Sequence, residues 1–258
     1  MENRQIIITT KQVNRLQELE KILIKHKNLL GLGEENIIVG ISEKPRAFLA
    51  WHEEEKKWGI YILPSDNDFT PIHELGHLFL AKKSNYVYFA RSGVKSNNIF
   101  SGILLIVNHL IDCFVDYNLI QFEGIYELYI DDAHLWICAK KKGKIEGKPI
   151  DIAHSYKALI GYYLSSKIIN ERKNREHFIN VKNYLRKSKK LIQRSFPNIR
   201  FNFQSLEQKL DDFDKIKNTK DPTVILNFVY NILSEVSIWK ESDIQQQMKL
   251  LFPNLKYF

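Results

Sequence analysis

Apolar residues recur at helical spacing at Val13, Leu16, Leu19, Leu23 and Leu30, and Gly31 follows them. That spacing lays one apolar stripe along a helix, and a glycine just past its end is a common terminator because it enters the left-handed region without strain. Three short runs come next: Ile37-Ile38-Val39, Ala47-Phe48-Leu49-Ala50-Trp51 and Trp58-Gly59-Ile60-Tyr61-Ile62-Leu63. They are rich in β-branched and aromatic residues and read as strands. The polar stretch from Glu53 to Lys57 separates the last two, as a hairpin turn does. Pro64-Ser65-Asp66-Asn67-Asp68 is a loop, and Asp68 or Thr70 is expected to cap the helix that follows. Thr70 before Pro71 suits an N-cap and a first helical position. Beyond it the pattern is helical almost throughout, with helices expected near 70–83, 98–122, 151–172, 174–194, 203–216, 222–236 and 240–251.

The predicted class is therefore α+β and predominantly α-helical: a small antiparallel sheet, two helices after it, and a helical C-terminal region. Charge suggests a division. Residues 167–258 hold 18 Lys and Arg against 10 Asp and Glu, which leaves 20 of each for residues 1–166, so the formal charge of +8 arises in the last third. The expected organisation is a first domain over 1–166 and a basic all-α region over 167–258, either separate or part of the same domain.

The apolar stretch from Ile99 to Ile120 has the length of a membrane span, but Asn108, His109, Asp112 and Asp116 lie within it. Carboxylates at bilayer depth are costly, so a buried helix that presents polar groups to a site is the better reading and no membrane span is expected. Cys113 and Cys138 sit in apolar segments without metal-ligand spacing, which suits buried reduced thiols. With no signal-peptide pattern at the N-terminus, the expectation is a cytoplasmic protein.

His73-Glu74-Leu75-Gly76-His77 changes the picture most. Two histidines four apart on a helix share one face, a turn apart, and two neutral imidazoles at that spacing can share a Zn²⁺ at about 2.0–2.1 Å each. Glu74 then stands beside the ion rather than on it, placed to take a proton from a zinc-activated water and return it to a leaving amine. A bare match of this kind arises by chance in on the order of one chain in a hundred of this size. The flanks add weight: Ile72 precedes the motif, Leu78-Phe79-Leu80 follow it, and no charge intrudes, which does not suit a helix whose polar residues merely face solvent.

Residues Ile72 to Leu80 resemble the HExxH zincin metallopeptidases. Leu80 and Lys83 stand where the metzincin branch has Gly and His, and no Gly-Thr-x-x-Asp segment of the aspzincin type follows. Asn108-His109-Leu110-Ile111-Asp112-Cys113-Phe114-Val115-Asp116 looks similar to the later helix of thermolysin-like gluzincins, where one acid binds zinc and a second, four residues on, holds the first histidine. The resemblance thus implies a zincin-like fold, one zinc per chain, Asp112 as third ligand, and Asp116 with Asn108 supporting the site. Two departures stand: the first acid is Asp rather than Glu, and Asn108 is four residues before it rather than adjacent. His109, Glu123 and Glu127 are rival third ligands. The resemblance spans about 60–125 at most.

Zincin peptidases bind substrate as an added strand, and the run 47–51 or 58–63 would serve. His154 and Tyr156 are candidate donors to a developing oxyanion. From Arg172 to Arg194, nine Lys and Arg share a helix with Phe178, Val181, Leu185 and Ile192 at three- and four-residue steps. One face is then buried and the other strongly positive, either merely solvated or a surface for a polyanion or acidic partner. The expected function is a zinc-dependent peptidase acting on a peptide or protein substrate. The alternative is a catalytically silent zincin-fold protein that binds nucleic acid or an acidic partner through its basic helices.

Overall fold

A computed structural model describes residues 10–44, 46–83, 98–130, 149–171, 175–198, 200–219, 221–236 and 239–252. Cys138, Arg172 and Lys173 lie outside them. Helices predominate, beside one three-stranded sheet. The helices are α1 (Thr10–Leu29), α2 (Phe69–Lys83), α3 (Asn98–Leu119), α4 (Pro149–Glu171), α5 (Arg175–Ser195), α6 (Phe203–Asp211), α7 (Phe213–Ile216), α8 (Pro222–Glu235) and α9 (Glu241–Leu251). Residues 125–130 are helical as well. The strands are β1 (Ile37–Ile41), β2 (Phe48–His52) and β3 (Lys57–Ile62).

The chain divides into two compact units, one of residues 1–80 with 119–132, the other of 81–118 with 133–258. Residue 166, the expected boundary, falls inside α4.

In the first unit α1 buries Leu19 and Leu23 and stops where Gly31 takes a positive φ of 68°. The sheet is mixed, not antiparallel. Its order is β1-β3-β2: β2 and β3 form the expected antiparallel hairpin, whereas β1 runs parallel to β3. The chain leaves β1, makes the far edge first and returns through the middle, so β1 meets the strand whose direction matches its own. Trp58, Ile60 and Ile62 are buried on one face. On the other, Tyr61 stacks on Phe48 at 4.7 Å and its hydroxyl meets His52 Nε2 at 2.8 Å. Neighbouring Gly40 and Gly59 make room for that ring, since a Cβ at either would come within 3 Å of it.

In the second unit Phe114, Phe213 and Phe228 form an aromatic core with centroids 4.9–6.3 Å apart. A single helix was expected over 203–216, but it breaks at Asp212, whose N–H bonds Lys209 O in a tight turn and sets Phe213 into that core. Helices α4 and α5 pack along one another. The window Ser101–Leu119 of α3 is long and apolar enough to cross a membrane by length and composition, yet 67% of it is buried, as in a core helix.

Candidate metal centre

The loop that feeds α2 is tied down by side chains. Asn67 Oδ1 accepts from Phe69 N, Thr70 N and Thr70 Oγ1 at 2.9–3.0 Å, which satisfies two of the N–H groups that every helix start leaves over. Neither Asp68 nor Thr70 is therefore the capping acceptor. The Asp68 carboxylate instead takes Arg15 Nη2 at 2.6 Å, and the same guanidinium nitrogen donates to Asp66 O at 3.0 Å. Arg15 thus pins the entry of α2 to α1. Sequence reasoning missed both residues: Asn67 had a readable signal as a favoured capping type, but Arg15, 53 positions from Asp68, had none.

Within α2, Ile72, Leu75 and Leu78 are fully buried, whereas His73, Glu74 and His77 are half-buried on one side. Helical geometry puts these three within about 100° of arc. His73 Nε2 and His77 Nε2 face each other at 3.1 Å, with the rings edge-on at a centroid distance of 4.8 Å. Phe69 flanks His73 at 6.0 Å and meets Tyr129 edge-on at 5.6 Å.

One ligand atom each from His73, His77 and Asp112 lies within 4.8 Å of the others, a grouping that could hold a metal ion. Two tests bear on the fit to zinc. Tetrahedral bonds of 2.0–2.1 Å require neighbouring ligand atoms about 3.3 Å apart, and the imidazole pair stands close to that. Two imidazole nitrogens and a carboxylate are also a donor set used by catalytic zinc, with a position left over. His26 shows the contrast: it is buried, and its Nδ1 donates to Ile22 O at 2.7 Å within its own helix.

The other candidates fall outside that grouping. Glu123 and Glu127 are exposed, His109 is buried, and Asn108 and Asp116 are half-buried on α3. His154 is exposed on α4, while Tyr156 is buried with its ring 5.7 Å from Phe201. Of the two strands considered for substrate, β3 is central with both sides paired, so the run 58–63 is ruled out as an edge; β2 is an edge strand. No family model matches the chain, nor does any curated protein or solved structure.

Proposed function

We propose that the protein is a zinc-dependent peptidase, with His73, His77 and Asp112 as zinc ligands and Glu74 as general base. The observation that carries the reading is the opposed pair of imidazole nitrogens at 3.1 Å with the Asp112 carboxylate in the same group. Bound zinc supplies a Lewis acid that polarises the scissile carbonyl. Glu74 shares the arc of the two histidines without belonging to the ligand group, as a base for the attacking water must. It takes the proton of that water and hands it to the departing amine. Asp116 holds the tautomer of His73, as carboxylates commonly do for ligating histidines. The edge strand β2, in the same unit as the motif, offers backbone groups to an extended peptide.

Purified full-length protein offered zinc should bind close to one ion per chain by elemental analysis and cleave members of a quenched-fluorescent peptide library. Glu74→Gln should keep the zinc and lose at least about a hundredfold in turnover, whereas Asp112→Ala should lose stoichiometric zinc. Absence of zinc after it is offered overturns the site. Full zinc with unchanged turnover in Glu74→Gln overturns the assignment of the base.

A further inference from the structure

Helix α5 carries seven Lys and Arg and one acid, Glu176. Val181, Leu185 and Ile192 bury its apolar side. Arg175, Lys182, Arg186, Lys187, Lys190 and Arg194 are exposed. At 100° per residue these six occupy about 140° of arc opposite the buried side, along about 29 Å of helix. A hollow of ≈ 520 Å³ opens beside them, with Lys182, Asn183, Arg186 and Lys189 in its wall. Lys189 is engaged by Glu207 at 2.5 Å.

We infer that the exposed face of α5 binds the phosphate backbone of double-stranded nucleic acid without reading its sequence. Charge and shape select this partner over others. The length of the row matches about eight base pairs of duplex, which carry a charge every 1.7 Å or so. A helix that inserts into a membrane surface uses an apolar face, and here that face is already packed; Ile179 is the one large apolar residue exposed on the described part of α5. Single strands are held by open aromatic platforms. The aromatic rings here are half-buried and covered by cations: Lys182 lies 5.1 Å from the Phe178 ring, Lys187 5.7 Å from Tyr184 and Lys189 5.9 Å from Phe203. Binding of this kind draws on counterion release, not on base edges.

The test is fluorescence anisotropy of the full chain with a labelled duplex of arbitrary sequence between 50 and 200 mM salt. Single-stranded DNA of the same sequence and phosphatidylserine–phosphatidylcholine vesicles are the other arms. The expected result is duplex binding whose logarithm falls with log salt at a slope of about −3 to −5. The triple substitution Lys182→Gln, Arg186→Gln, Lys190→Gln should lower that slope's magnitude by about 3 and weaken binding at 50 mM salt on the order of a hundredfold. Circular dichroism confirms that the variant keeps its helices. A control of equal charge change on exposed positions of α1, Lys11→Gln, Lys21→Gln, Lys25→Gln, should lose far less. No duplex binding at 50 mM salt, equal losses in the two triple variants, or tighter binding of vesicles or single strands than of duplex overturns the proposal.

Discussion

Helices α2 and α5 both carry polar residues at helical spacing, yet they treat them in opposite ways. On α5 the cations stand in solvent above a buried stripe, where a lysine costs almost nothing. On α2 the surroundings are apolar, and His73, Glu74 and His77 are half-buried among Ile72, Leu75 and Leu78. Polar groups taken from water cost free energy unless they find partners. Three of them clustered on one side of a core helix therefore point to chemistry more strongly than six cations on a solvated face. On the readings proposed above, a metal would partner the first cluster and a duplex phosphate backbone the second.

Four measurements break or sharpen this contrast. Leu75→Ala should cost about 2–5 kcal/mol in denaturant unfolding, because the side chain is fully buried and leaves a cavity; a cost under 1 kcal/mol would mean that α2 is not the core helix described. Asp116→Ala, on the peptidase reading, should weaken zinc affinity or activity by roughly 10–100-fold, or about 1.4–2.7 kcal/mol. An effect below twofold would remove Asp116 from the site.

Between the two regimes lies a half-buried ion cluster. Lys167 reaches Asp211 at 2.7 Å and Asp214 at 2.6 Å, and the Tyr163 hydroxyl donates to Asp211 at 2.7 Å. Burial pushes the Asp211 carboxyl upward, but the hydrogen bonds from Lys167 and Tyr163 outweigh it and hold the pKa below the ordinary value. A lowered folded pKa stabilises the protein above the unfolded value of about 3.9 and loses that contribution as pH falls through the folded one. Asp211→Asn should therefore cost up to about 1 kcal/mol at pH 7, kept small by solvent screening because the side chain is 54% exposed. The difference from wild type should fade below about pH 4; a gap that persists there would show a steric origin. Smallest of all, Lys190→Gln should shift unfolding by no more than about 0.5 kcal/mol, since its side chain only faces water. A larger loss would make α5 a structural element rather than a free surface.

Much of the fold was legible because it depends on local periodicity. The helix starting near Thr10, the turn at Gly31, the β2–β3 hairpin and α2 all follow from spacing of three to four or of two. The histidine pair was legible for the same reason: residues four apart on a helix meet whatever lies around them. Other features depend on contacts that no local pattern encodes. The parallel pairing of β1 with β3 required the whole sheet, and the break at Asp212 required Phe114 and Phe228 to receive Phe213. Which acid joins His73 and His77 is a question of distance between residues 35 or more positions apart. The resemblance named Asp112 with His109, Glu123 and Glu127 as rivals, and no periodicity ranks them; in space Asp112 falls in one group with the histidines that could hold a metal ion. The tie of Arg15 to Asp68 belongs with these, because a pairing between segments far apart in the chain leaves no periodic trace in either.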